Sequence, residues 1–143
     1  MTTKVLIPID GSESAQQMVV WFANLFPAQQ FSVNLLQVVP TVGELPVEPY
    51  EIEYASKSLD KAKAALSEKG FSIAHSEYIT GDPAGSICQV AEDYKVDQII
   101  VGSHGRSGLF KTLLGSVSSQ VLEQAKCPVI VYKQPANVTA NAS

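Results

Sequence analysis

The sequence predicts a three-layer α/β domain, a parallel sheet with helices on both faces. Apolar runs of strand length alternate with helix-period segments along the chain. The connections between them carry the glycines, prolines and capping residues that belong at such boundaries. A chain of 143 residues, 45% hydrophobic and 17% charged, is enough for one domain with a substantial core.

Each element follows from its own residues. The run 4–9 (KVLIPI) ends at Asp10 and Gly11 and reads as a buried strand. Ser14 is a candidate cap for the next helix, with Gln17 three residues on completing a capping box. Ala15, Met18, Val19, Phe22, Leu25 and Phe26 recur at helical spacing until Pro27 stops the helix. The run 31–39 (FSVNLLQVV) is a second strand, and residues 40–50, rich in proline, form a loop. Ile52, Ala55, Leu59, Ala62 and Leu66 mark a second helix, closed by Gly70 at the position where a C-terminal glycine belongs. Residues 71–80 alternate in polarity as a third strand with one wetter face. Asp82 and Pro83 open a third helix as cap and first-turn proline. Its inner face is Ile87, Val90, Ala91 and Tyr94. The run 98–101 (QIIV) is a fourth strand, followed by a long glycine-rich loop. A fourth helix begins near Ser116 and is expected to bury Val117, Val121, Leu122 and Ala125. The run 128–132 (PVIVY) is a fifth strand. Residues 1–133 form the domain, and the small, polar tail 134–143 is expected to be disordered.

Five strands alternating with four helices imply right-handed crossovers and a parallel sheet. Ligands of such sheets bind beyond the C-terminal ends of the strands, where strand order reverses. The segments to watch are therefore Asp10–Gly11, Val38–Val39 and the stretch from Gly102 onward.

Composition excludes several classes. A net charge of −4, with ten basic residues and no basic block, gives no footprint for nucleic acid or for a membrane surface. Cys88 and Cys127 form no CxxC pair and have no nearby histidine, so zinc is not expected, and they read as buried thiols of a reducing compartment. The apolar stretch Val19–Ala23 is far shorter than a membrane span. Met1 runs almost directly into a strand with no signal peptide ahead of it, so the expected location is the cytoplasm.

The chemistry concentrates in one loop. Gly102, Gly105, Gly108 and Gly115 are four of the chain's nine glycines. Ser103, His104, Arg106, Ser107, Lys111 and Thr112 lie between them, and Ser116, Ser118 and Ser119 follow. Glycines allow consecutive N–H groups to converge on one anion. A helix N-terminus adds further N–H groups and a favourable dipole. Arg106 and Lys111 supply cations, and the whole describes a cradle for a triphosphate. The competing reading is a glycine-rich connection with no ligand. The loop is neither a Walker A motif nor a dinucleotide fingerprint, because the lysine spacing and the glycine spacing are both wrong.

Gly102-x-x-Gly105, nine residues, then Gly115 and Ser116 resembles the ATP-binding signature of the universal stress protein family. The segments 5–12 (VLIPIDGS), 35–39 (LLQVV), 81–87 (GDPAGSI) and 127–131 (CPVIV) are similar to the family's other landmarks, so the resemblance spans residues 3–133. It implies a Rossmann-like sheet, of the kind shared with adenine nucleotide α-hydrolases, in the order 3-2-1-4-5. It also implies a homodimer, and membership of the subgroup that binds ATP. The implied nucleotide site is Pro8, Ile9, Asp10, Val38, Gly102, Ser103, His104, Gly105, Arg106, Gly115, Ser116, Val117 and Ser118. Asp10 would meet the ribose or the adenine edge, against the alternative of an aspartate that caps a helix. Val38 would offer backbone groups to adenine. His104 has no paired carboxylate or thiol in sequence and reads as a loop residue near phosphate rather than as a general base. His75 reads as solvent-facing. The four glutamates in 44–53 read as a solvated loop, with a gate or docking surface as the sharper alternative.

The expected function is a regulatory, stress-response module that binds ATP, with Mg²⁺ or Mn²⁺ held by the phosphates, and that acts through an unknown protein partner. No catalytic or metal-ligating residue is assigned. One rival is an adenine-nucleotide-processing enzyme, a slow ATP hydrolase or nucleotidyl transferase. Another is a structural dimer that binds no nucleotide. The dimer is expected to form through the uncharged fifth strand, Val129, Ile130 and Val131, at a sheet edge. Ile130→Pro would disrupt it if that N–H faces the partner.

Overall fold

The computed structural model describes residues 2–105 and 114–135. Arg106, Lys111, Thr112 and most of the polar tail lie outside the described residues.

Five parallel strands form one sheet in the order β3-β2-β1-β4-β5. They are β1 (Thr3–Ile9), β2 (Phe31–Pro40), β3 (Ser72–Gly81), β4 (Gln98–Gly102) and β5 (Val129–Tyr132). The helices are α1 (Glu13–Leu25), α2 (Pro49–Glu68), α3 (Pro83–Asp93) and α4 (Ser116–Gln124). The architecture is the predicted α/β fold in the predicted strand order.

Strand alternation sorts the core into two layers. Val5, Ile7 and Ile9 of β1 face α1 and α2, together with Val33 and Leu35 of β2. Leu6 and Leu36 face the other way, toward Ala84, Ile87 and Ala91 of α3 and Val121 of α4. In the first layer Phe22 is fully buried, stacked on Phe26 at 4.6 Å and in contact with Phe31 and Phe71 at 5.5 and 5.1 Å. Truncating Phe22 to alanine would cost about 3–5 kcal/mol through lost burial and the cavity left behind.

Several local expectations are corrected. α1 is capped by Ser12, whose Oγ accepts from the Ala15 N–H, and not by Ser14. Gly11 takes a positive φ of 85° and turns the chain so sharply that the helix starts two residues early. α2 begins at Pro49, inside the segment expected to be loop, because the Glu51 carboxylate reaches back to the Glu48 N–H at 3.2 Å. Half of the acidic run is thus helical. On α4, Val117 and Leu122 are 36% and 42% exposed, whereas Ser118 and Val121 are buried. A helix this short offers the sheet only one narrow stripe. Cys88 and Cys127 are half-buried, not buried, and unbridged. Burial is the first cause that raises both thiol pKa values, which keeps them protonated.

His75 is exposed, as expected, but it is not without partners. A bulge at Ala74 sets His75 opposite Asn34, and its Nδ1 lies 2.7 Å from the Asn34 Oδ1. Its ring stacks on Tyr94 at 4.0 Å. Asn34 is itself buried and donates through Nδ2 to the Val5 carbonyl at 3.2 Å.

β5 is an edge, as expected, but its hydrogen-bonding polarity differs from the simplest assumption. The Ile99 N–H donates to the Pro128 carbonyl and the Ser103 N–H to the Tyr132 carbonyl, at 3.0 and 2.8 Å. Residues 128 and 132 therefore point their backbone groups at β4. By the two-residue period Ile130 does the same, and Val129 and Val131 point theirs outward.

Candidate functional site

The C-terminal ends of β1, β2 and β4 open into a cleft of about 530 Å³, a volume in the usual range for a small-molecule site. Pro8, Ile9, Asp10, Val38, Gly102, His104, Gly105, Gly115, Ser116, Val117 and Ser118 line it. Ser103 is buried behind the wall, and Arg106 lies outside the described residues.

The two ends of the glycine loop are clasped together. The Gly115 N–H donates to the Ser103 carbonyl at 2.6 Å, and the Ser118 hydroxyl donates to the Gly102 carbonyl. These two bonds form a neck that pins the start of α4 over the end of β4. Close approach accounts for the glycine at 105, whereas the glycine at 115 sits at ordinary contact distance from its neighbours. A Cβ on Gly115 would lie 3.4 Å from both the His104 Cα and the Ser103 oxygen, and one on Gly105 would lie 2.8 Å from Asp10 Oδ2.

Capping chemistry then singles out one helix end. Ser12 caps α1, Asp82 caps α3 by accepting from the Gly85 N–H at 2.9 Å, and Glu51 closes the first turn of α2. The residue before α4 is Gly115, which has no side chain to do so. Among the described α-helices, α4 alone thus presents a first turn without a side-chain cap, and that turn faces the cleft. Free N–H groups and the helix dipole make such a turn an anion site.

Asp10 stands in the middle of the cleft. Its Oδ1 accepts from the Ser12 N–H at 3.0 Å, and its Oδ2 is packed against Gly105. It organises the turn after β1, and Ser12 rather than Asp10 makes the helix cap. His104 has its Nδ1 3.1 Å from the Ser103 Oγ. Among the described residues no group of three histidine, cysteine or acidic side chains is placed to hold a metal ion.

Sequence reasoning missed the other wall. Ala15 and Met18 of α1, Tyr50, Glu51 and Tyr54 of α2, and Gln37 of β2 also line the cleft. The Tyr54 hydroxyl donates to the Gly11 carbonyl at 2.7 Å, and its ring occupies the space that a side chain at position 11 would need. Gln37 left a readable signal. A central strand covered on both faces should be continuously apolar, and Asn34 and Gln37 interrupt this one. Tyr54 left none, because it lies 43 residues from the glycine it covers.

The model of the universal stress protein family matches residues 1–133. A universal stress protein of Methanocaldococcus jannaschii, MJ0531, is 37% identical over 142 residues, covering 92% of this chain and 82% of its own. Among solved structures, protein MJ0577, from the same organism, superposes with a TM-score of 0.81 at 32% identity. That match covers 94% of this chain and 98% of the other. A family protein of Arabidopsis thaliana with AMP bound has the same fold, with a TM-score of 0.69 at 24% identity, covering 96% and 95% of the two chains. Universal stress proteins in complex with cAMP and, from Archaeoglobus fulgidus, with dAMP match at TM-scores of 0.71 and 0.69, with 22% and 20% identity.

Proposed function

The chain belongs to the universal stress protein family, and from that premise and the cleft we propose that it binds an adenine nucleotide, ATP in the first place, and serves as a nucleotide-dependent regulatory module. The observation that carries this reading is the uncapped first turn of α4, held at the cleft by the neck at Gly102–Ser103 and Gly115–Ser118. The phosphates would lie against that turn, with Ser116 and Ser118 beside them. Asp10 would meet the ribose, and the base would lie toward β2 near Val38. AMP, cAMP and dAMP in proteins of the same fold support adenine as the common element. A divalent ion, Mg²⁺ or Mn²⁺, would arrive on the phosphates.

A regulatory role is favoured over turnover by the composition of the site. The residues flanking His104 in sequence include no carboxylate or thiol, and an activated base needs an orienting carboxylate or its equivalent. The nucleotide would act by altering a surface or a dimer formed through β5, which a partner protein reads.

Calorimetry with AMP, ADP and ATP, together with mass spectrometry of ligand released from freshly purified protein, tests the proposal. Adenine nucleotide binding that is lost in Gly115→Val is the expected result. No binding by the wild-type protein would leave only the structural dimer. Turnover near the common enzyme rate of roughly 10 s⁻¹ would favour the enzyme instead.

A further inference from the structure

The cleft holds one polar group that neither phosphate nor ribose accounts for. Gln37 is 3% exposed, and its Oε1 has no hydrogen-bond partner among the described residues. Buried amide oxygens are rarely left this way, because an unmade bond penalises the folded state. Leu35 faces α1 and α2, so Gln37, two residues on, projects to the same side, and it lines the cleft there.

Its place across the sheet indicates what it meets. The neck follows β4, Asp10 follows β1 and Gln37 is on β2, and these strands are neighbours in that order. Two interstrand steps put Gln37 roughly 10 Å from the anion end of the cleft. That is comparable to the reach from the first phosphate of a nucleotide to its base. The surrounding wall is apolar or aromatic, from Met18, Val39 and Tyr54, as a purine face requires.

We infer that Gln37 reads the base. With the side-chain amide turned so that its closed-off oxygen faces the cleft, that oxygen accepts from the 6-amino group of adenine and the amide nitrogen donates to N7 of the same ring. An amide presents one acceptor beside donors, the complement of the donor and acceptor on that edge of adenine. A 6-oxo purine offers two acceptors on the same edge, and one amide cannot serve both. Gln37 is thus the residue that selects 6-amino over 6-oxo purines, and this deepens the nucleotide reading above and rests on it.

The experiment compares AMP, IMP and 7-deaza-AMP by calorimetry on the wild-type protein and on Gln37→Met, which keeps side-chain volume without the amide. The wild-type protein is expected to bind AMP roughly 5- to 150-fold more tightly than either analogue. In Gln37→Met the three should converge, and the melting temperature without ligand should rise, because an orphaned oxygen is gone. A wild-type protein that binds all three alike overturns the inference, whatever the variant does, and leaves the nucleotide reading standing. An unchanged AMP-to-IMP ratio in Gln37→Met overturns it as well. A wild-type protein that binds none of the three, nor ATP, removes the nucleotide reading and the inference together.

Discussion

The Asp10 carboxylate occupies the space that a side chain on Gly105 would fill, since a Cβ there would come within 2.8 Å of Oδ2. Asp10 is not free to swing aside, because its Oδ1 accepts the Ser12 N–H at 3.0 Å. The turn after β1 and the loop after β4 therefore constrain one another, although 95 positions separate the two residues in sequence. Gly105→Ala is expected to displace Asp10 and weaken AMP binding about tenfold, the cost of one lost ligand hydrogen bond of roughly 1.4 kcal/mol. Unfolding stability should change far less. Calorimetry beside urea denaturation checks this, and equal affinity in the folded variant would detach Asp10 from the ligand.

Arg106 is expected at the outer phosphates. Arg106→Ala should cost ATP about 1.5–3 kcal/mol through loss of a charge-assisted hydrogen bond, with little effect on AMP. Equal losses for the two nucleotides in a titration would place the guanidinium elsewhere.

Tyr94 makes stability depend on alkaline pH. Its hydroxyl donates to Glu77, and this bond, with burial and nearby acidic charge adding to it, pushes its pKa up to about 12 from 10.0. The folded value lies above the unfolded one, so the stabilisation is complete below about pH 10 and disappears as pH rises toward 12. Tyr94→Phe should be less stable than wild type by no more than about 1 kcal/mol at pH 8, because solvent screens the pair. The gap should close between pH 10 and 12 in urea unfolding. A gap that persists at pH 12 would show that the hydroxyl proton is not its origin.

The dimer proposed through β5 can be tested by a proline at the right parity. Val131 points its N–H away from β4, so Val131→Pro should remove a donor from the interface and spare the sheet. Ile130→Pro would instead strike the β4–β5 ladder. Light scattering is expected to give a dimer for the wild-type protein and a monomer for Val131→Pro. A monomeric wild type would end the proposal.

Much of this molecule was legible from sequence because its signals are local. Asp82 and Pro83 announce α3, Gly70 ends α2, and the glycine spacing marks the loop that the neck encloses. What escaped depends on side-chain contacts and coverage that the periodic pattern does not display. The start of α2 rests on a glutamate reaching back one turn, yet the run looked like a proline-rich loop. The exposed side of α4 could not be read from a helical pattern alone, because the pattern does not say how wide a stripe the sheet covers. The partnership of His75 with Asn34 depends on a one-residue bulge that re-aims a side chain. The α2 wall of the cleft required knowing that Tyr54 folds back over Gly11.

The neck also bears on how such a domain diversifies. Because backbone groups of Gly102, Ser103 and Gly115 and one serine hydroxyl fix both ends of the intervening segment, its length can change at little cost to either end. For a loop whose ends are already joined, doubling its length adds only about 0.6 kcal/mol of closure entropy. Affinity, partner choice or a modification site can therefore drift in the segment under selection while the scaffold keeps its stability.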